Sequence, residues 1–325
     1  MHVDATAAPA PFFIVGSGRS GTTLLRMMLC SHSRISIPPE TWFLLPLVRR
    51  LSIDRTLNPS EIESAISLMT KHHRWPVMKL DAEELRRRVR QITDRHLRDV
   101  VEAVYRSHME AHGKVRWGDK TPPYIEIVPQ LVRLFPGVRF VHLIRDGRDV
   151  ARSFQDTHWV SPWLHDNTEE WVRAMRYQRR WERSDLRDLI LQIRYEDLVL
   201  DTEATLRKIC KFLGEEFEPR MLEWERQVDA QVPEGERQYH RKLKLKIGAE
   251  GIARWKREMG ARETFVAEAF MGSQLTRLGY ERRYPSPLWA PIFALTRLCC
   301  RLVLPAVQWQ TRTLRTERVR LRTRP

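Results

Sequence analysis

The chain has 325 residues, 42 % of them hydrophobic, enough for one large folded domain or two ordinary ones and too apolar for a disordered segment. Fifty-six Lys and Arg against 41 Asp and Glu give a net charge of +15, which predicts acidic partners such as nucleotide phosphates, nucleic acid or anionic lipid. The four cysteines (Cys30, Cys210, Cys299, Cys300) form no C-x-x-C pair and lack a zinc-type histidine partner, which argues against a disulfide scaffold or metal site and for a reducing compartment.

The first eleven residues hold no Lys or Arg and no apolar core of signal-peptide length, so no cleaved leader is expected and a cytoplasmic location is predicted. The apolar run Phe12 to Val15 reads as a strand, followed by a glycine turn, Gly16-Ser17-Gly18-Arg19-Ser20-Gly21-Thr22-Thr23, and a helix to Cys30. Strand, turn and helix in that order suit a parallel α/β sheet. A charged helix is expected over Ala82 to His112, with Leu85, Val89, Ile92, Leu97, Val100, Val101 and Val104 on a 3.6-residue rhythm. Two further buried strands are predicted, Val138 to Ile144 and Leu189 to Arg194. A loop is expected over Gln227 to Ile247, and a last helix over Ala261 to Leu278, ended by Gly279.

The glycine turn has the Gly16 and Gly21 spacing of a phosphate-binding loop, in which backbone N–H groups wrap phosphates and a lysine reaches the β and γ positions. Thr22 stands where that lysine belongs, and the cation has moved to Arg19. A triphosphate is therefore a poor fit. Backbone amides of Gly18, Ser20 and Gly21 and the hydroxyls of Thr22 and Thr23 are the expected anion donors. A turn of this kind also occurs simply to let the chain reverse closely.

A second constellation follows the strand ending at Ile144. Arg145 falls at the strand's carboxyl end, where open α/β sheets bind ligands, and Ser153 lies eight residues on. Blandly read, Asp146 and Asp149 merely neutralise Arg148 and Arg152 on a solvated helix.

Taken together the two motifs resemble the PAPS-dependent sulfotransferases, P-loop proteins whose phosphosulfate loop reads like Gly16 to Thr23 and whose 3′-phosphate motif spaces an arginine and a serine as Arg145 and Ser153 are spaced. The likeness runs from about Phe12 to Glu281 and includes Trp117-Gly118-Asp119-Lys120-Thr121-Pro122, Arg194 to Leu198 and Trp255-Lys256. It implies a three-layer fold with a central, mostly parallel sheet flanked by helices. It also implies PAPS as donor, PAP as product, no metal requirement, and a hydroxyl acceptor on a carbohydrate, lipid or tyrosine. Tyr195 inherits contact with the adenine; on its residues alone it reads as a core tyrosine. The family's C-terminal nucleotide segment survives as Lys246-Ile247-Gly248 and Trp255-Lys256, so Lys246, then Lys244, are candidates for the 3′-phosphate. Arg19 in place of the cytosolic branch's lysine turns the likeness towards the bacterial, carbohydrate and tyrosylprotein branches.

A hydroxyl acceptor needs a base, and Glu40, after the rigid Pro38-Pro39, is the candidate; position alone makes it an ordinary helix-start carboxylate. Arg19 and Lys120 are the cations proposed for the leaving phosphate, although Lys120 also reads as a surface lysine paired with Asp119. No histidine takes the base's place: His108 and His112 fall in a charged helix and His142 inside a strand. Residues Ile53 to Trp75 and Asp156 to Trp171, with His158, Trp159, Trp163 and His165, are expected to shape the acceptor pocket.

From Pro285 onward eight arginines oppose one acid, Glu317, placing +7 in this extension and leaving +8 for residues 1–284, the expected catalytic domain. Leu288 to Leu304 is almost wholly apolar yet interrupted by Pro291, Arg297 and Arg301, which suits either a helix lying on an anionic membrane or one packed on the domain. A P-loop kinase or nucleotide hydrolase is the enzymatic alternative. A nucleic-acid binder is not expected, because so much of the charge sits in the tail rather than on a groove.

Overall fold

The structure is a computed structural model that describes residues 9–93, 95–157, 161, 163–234 and 248–302. It divides into two compact units, Met1–Arg145 with Ala174–Ile252, and Asp146–Arg173 with Ala253–Pro325. Five strands, β1 (Phe12–Gly16), β2 (Ile35–Ser36), β3 (Arg116–Lys120), β4 (Arg139–Ile144) and β5 (Ile190–Arg194), all lie in the first unit. They form one sheet in the order β2-β3-β1-β4-β5, with every neighbouring pair parallel.

The helices preceding β3 are α1 (Thr22–Cys30), α2 (Leu44–Arg50), α3 (Pro59–Thr70), α4 (Ala82–Arg90) and α5 (Leu97–Ala111). After it come α6 (Val128–Leu134), α7 (Gly147–Gln155), α8 (Leu164–Glu182), α9 (Tyr195–Leu200), α10 (Thr202–Leu213), α11 (Val228–Gln231), α12 (Trp255–Glu258) and α13 (Ala261–Arg277).

Strand alternation sorts the first unit into three layers. Phe12, Ile14, Val141, Leu143 and Ile193 face α1 and α10 and share a core with Leu25, Leu29, Leu206 and Ile209. Phe13 faces the other way, stacked on Phe140 at 5.8 Å and edge-on to Trp117 at 6.0 Å, and Trp117 in turn stacks on Tyr105 of α5 at 4.2 Å. Each such ring buries enough apolar surface to stabilise by roughly 2–3 kcal/mol. A doubly covered parallel sheet is the architecture expected, and it is what forms.

Strands β2 and β3 were not among the expected ones. Arg116-Trp117-Gly118-Asp119-Lys120 reads as polar, yet all five residues are buried, since Arg116 pairs with Glu215 at 3.1 Å and donates to the Leu213 carbonyl at 2.6 Å. Hydropathy cannot see a strand whose charges find partners only in the fold. The single helix expected over residues 82–112 is two. Leu57 N–H donates to the Arg95 carbonyl and Thr56 bridges His96, pulling the chain out of helix, and Asp99 restarts it by accepting from the His96 backbone N–H at 3.2 Å. Of the loop expected over residues 227–247, the start is helix α11 and residues 235–247 lie outside the described residues.

In the second unit, α7, α12 and α13 gather around Arg148, which is 1 % exposed. Its guanidinium is paired with Asp146 and Glu268, each at 2.7 Å, donates to the Glu281 carbonyl at 2.6 Å and lies 3.6 Å over the Trp255 ring. Arg148 is thus structural. Arg152 pairs with Asp156 and Glu258 instead of Asp149, which accepts from the Trp255 backbone N–H at 2.7 Å. Helix α13 stops as predicted, with Gly279 at φ 74° and Tyr280 N–H returned to the Leu275 carbonyl. No described helix is long and apolar enough to cross a membrane.

Candidate active site

The loop between β1 and α1 closes by virtue of its glycines. Gly16 (φ 144°) lies so near β4 that an added Cβ would sit 2.7 Å from the Leu143 carbonyl oxygen, and Gly21 (φ 91°) is the left-handed residue that turns the chain into α1. The open N-terminus of α1 carries Thr22 and Thr23, and Ser20 Oγ, buried beneath the loop, has no hydrogen-bond partner among the described residues. An anion held on these amides would satisfy it.

Arg19 also has a positive φ, 61°. Its carbonyl oxygen accepts from Arg145 Nη1 at 3.0 Å, and Arg145 Nη2 donates to the Gly251 carbonyl at 2.6 Å. One guanidinium at the end of β4 thereby ties the phosphate loop to the 249–251 turn. The same guanidinium lies 4.4 Å over the ring of Tyr195, the first residue of α9. A Cβ at Gly21 would run into that ring, its Cε2 only 2.8 Å away, and a Cβ at Gly251 would sit 2.7 Å from the Tyr195 hydroxyl. Tyr195 therefore fills a slot that only two glycines leave open.

Glu40 follows Pro38-Pro39, and the approach is fixed from α1: Arg26, 2 % exposed, donates to the Ile37 carbonyl at 3.0 Å and grips Gln231 Oε1 at 3.0 Å. The Glu40 carboxylate turns back onto Lys120 at the end of β3, with one oxygen on Nζ and the other accepting from Trp42 Nε1 at 3.0 Å. Lys120 Nζ also donates to Thr23 Oγ1 at 3.2 Å, so one ammonium spans the carboxylate and the phosphate loop. Lys120 is no surface lysine; its side chain is 5 % exposed, and its partner is Glu40 rather than Asp119. Burial pushes the Glu40 pKa up, but the Lys120 charge and hydrogen bond, then Arg74 and Trp42, outweigh it and hold the carboxyl below its ordinary value. Trp42 has φ 58°, so strained backbone occurs at both ends of the site.

Behind the pair sits a buried network absent from the sequence-based candidates. Asp119 Oδ2 accepts from Thr41 Oγ1 at 2.8 Å and from the Tyr105 hydroxyl at 2.9 Å, while Tyr124, whose hydroxyl accepts from Leu44 N–H, meets Thr41 Oγ1 at 2.8 Å. Thr41 N–H donates to Thr121 Oγ1 at 3.1 Å. Residues 40 and 120 are thus each next to a residue of the same network. Burial raises the Asp119 carboxyl to about 6 against the opposing pull of its hydrogen bonds and Lys120.

Of the sequence-based candidates, the first unit brings together Gly18, Arg19, Ser20, Gly21, Thr22, Thr23, Glu40, Lys120, Arg145 and Tyr195. Ser153 belongs to the second unit, on α7, and is 8 % exposed. Lys244, Lys246, His158 and Trp159 lie outside the described residues. The histidines are accounted for elsewhere: His142 is fully buried in β4, and His108 is buried within hydrogen-bond distance of Ser36 Oγ, 2.9 Å away. Gly251 acts through its carbonyl and left no side-chain signal. Trp42 and Asp119 stood beside singled-out residues, yet nothing in spacing marks them as partners.

Residues 11–219, more than half of the chain, match the family described as the Sulfotransferase family. The nodulation protein NoeE of Sinorhizobium fredii is 29 % identical over 170 residues, 51 % of this chain and 36 % of that protein. A protein-tyrosine sulfotransferase of Drosophila melanogaster is 26 % identical over 220 residues, 66 % of this chain and 40 % of its own length. The chain thus spans less than half the length of these two relatives. Among solved structures, the sulfotransferase domain of the Synechococcus PCC 7002 olefin synthase shares the fold, with a TM-score of 0.58 at 24 % identity over 80 % of this chain and 92 % of that one. On the match over residues 11–219, the chain belongs to the sulfotransferase family.

Proposed function

We propose that the chain is a PAPS-dependent O-sulfotransferase that transfers a sulfuryl group to a hydroxyl acceptor and releases PAP. The observation that carries this reading is Lys120, whose ammonium reaches Thr23 of the phosphate loop on one side and the Glu40 carboxylate on the other. PAPS supplies a sulfuryl group on a phosphate that leaves readily, so the protein needs a base on one side of the sulfur and positive charge on the other. Glu40 takes the acceptor's proton as its oxygen bonds to sulfur. With PAPS bound, Lys120 and Arg19 would supply positive charge to the phosphate oxygen that receives the electron pair when the old sulfur–oxygen bond breaks. A carboxylate held below its ordinary pKa is ionised and ready at neutral pH.

Nucleotide recognition is assigned to the amides of the 16–23 loop, with Thr22 and Thr23, for the 5′ group. Arg145 and Ser153, and Lys246 beyond them, are assigned to the 3′-phosphate, and Tyr195 to the adenine. The buried Ser20 hydroxyl, without a partner among the described residues, fits a 5′ anion on the loop, and the slot kept by Gly21 and Gly251 holds the Tyr195 ring beside it. A kinase or hydrolase is disfavoured by Thr22 in place of the lysine that a triphosphate loop uses. The test is transfer from radiolabelled PAPS to a panel of phenolic, carbohydrate and lipid hydroxyls. Labelled product that disappears with Glu40→Gln supports the assignment; hydrolysis of ATP with no transfer from PAPS overturns it.

A further inference from the structure

Residues 290–302 are helical and sit in the second unit with the wrong side outward. Arg297 lies on the packed side, its Nη1 donating to the Ala269 carbonyl at 2.5 Å, while Arg301, itself exposed, pairs with the exposed Glu169 at 2.9 Å. One turn before Arg297, Phe293, 6 % exposed, packs 4.9 Å from the ring of Phe265, with Trp289 and Tyr284 around the same ring. The outer side is apolar. Leu288, Ile292, Leu295, Leu298 and Leu302 recur at helical spacing and are 83, 46, 60, 53 and 66 % exposed. Scattered exposed leucines need no explanation, but a continuous apolar stripe along the outer side of a surface helix, with Arg297 turned to the packed side, departs from the usual surface pattern.

The charge of the chain beyond the helix says what covers it. Residues 303–325 contain six arginines (Arg312, Arg315, Arg318, Arg320, Arg322, Arg324) against Glu317. We propose that the 288–302 stripe is a monotopic membrane-docking face, lying in the plane of an anionic lipid surface to which the arginine-rich tail is attracted. Apolar insertion and electrostatic attraction to anionic headgroups are the two terms such helices combine. A second copy is the poorer occupant, because two like-charged tails would be brought together at one interface. The inference is independent of the sulfotransferase reading. It concerns a face that contributes none of the candidate catalytic groups.

The test uses the full chain and sedimentation with phosphatidylcholine vesicles, with and without phosphatidylglycerol. The protein should sediment with the anionic vesicles only, and raised salt should release most of it. Leu295→Glu with Leu298→Glu should lower the partition coefficient by at least about tenfold. Both positions are exposed, and an unchanged melting temperature checks the fold. A polarity-sensitive fluorophore on Cys299, which is exposed where Cys30 and Cys210 are buried, should shift to the blue on anionic vesicles with the leucines intact. The proposal is overturned if wild type ignores anionic vesicles, if the double variant binds as well as wild type, or if the face instead holds a dimer that the double variant dissociates.

Discussion

Glu40→Gln is the sharpest perturbation of the proposed chemistry, because glutamine keeps the shape and removes only the charge and the basic oxygen. Glu40 now satisfies two donors, Lys120 Nζ and Trp42 Nε1, one on each oxygen. Glutamine has one acceptor oxygen, so its amide N–H₂ must face the other donor. That leaves a donor in a half-buried place without an acceptor, worth about 1–3 kcal/mol, and deprives Lys120, 5 % exposed, of its counter-charge. Loss of a general base lowers kcat by about 10²–10⁴, or roughly 3–5 kcal/mol of transition-state stabilisation. The assay is labelled-sulfate transfer, run well below the variant's melting temperature, beside a PAP titration to confirm a folded nucleotide site. PAP affinity should stay within about threefold, since Glu40 is not assigned a nucleotide contact. The sign of the pH effect is fixed too. The folded pKa of Glu40 lies below its ordinary 4.5, so its contribution to stability is present above 4.5 and lost as pH falls through the folded value; the gap between wild type and variant closes on acidification. A Glu40→Gln protein that keeps its rate within about tenfold would refute the base assignment.

Three further outcomes follow from the same geometry. Gly251→Ala drives a methyl to within 2.7 Å of the Tyr195 hydroxyl and should weaken PAP binding by about tenfold while changing the melting temperature little; unchanged calorimetric affinity would remove Tyr195 from the nucleotide site. His108 is buried with its pKa lowered to about 3, by burial first and then by His112 and Arg26, so the unfolded chain binds the extra proton between pH 6.5 and 3 and stability falls on acidification. His108→Gln should flatten the slope of urea-unfolding free energy over that range by up to about 1.4 kcal/mol per pH unit, and an unaltered slope would contradict the burial argument. Asp119 works in the opposite sense: its carboxyl, raised to about 6 from 3.8, binds a proton in the folded state first, so stability gains as pH falls from 6 towards 4, and Asp119→Asn should abolish that gain.

The glycine turn and the place of Arg145 were legible because their constraints are local: a turn between an apolar run and a helix, and an arginine at a strand's carboxyl end. Tyr195 read on its residues as a core tyrosine, and only the fold brings its ring beneath the Arg145 guanidinium. β3 was not legible, since Arg116, Asp119 and Lys120 look solvated until Glu215, Tyr105 and Glu40 are brought to them from elsewhere in the chain. The pairing of Glu40 with Lys120 was missed for the same reason. Eighty residues separate them, and the sequence had offered Asp119 next door as the easier partner. In the C-terminal extension, the apolar run and the arginines were plain, but only packing could reveal that Arg297 turns to the packed side and the leucines outward.

A site built for a nucleotide with separate 5′ and 3′ anions should prefer PAP to a triphosphate. Calorimetric titration with PAP and with ATP plus magnesium, on wild type and Arg145→Ala, tests it most directly. PAP should bind tighter than ATP, and Arg145→Ala should weaken it by at least about tenfold, because the guanidinium assigned to the 3′-phosphate also joins the Arg19 and Gly251 carbonyls. Tighter binding of ATP, or PAP affinity indifferent to Arg145, would contradict it.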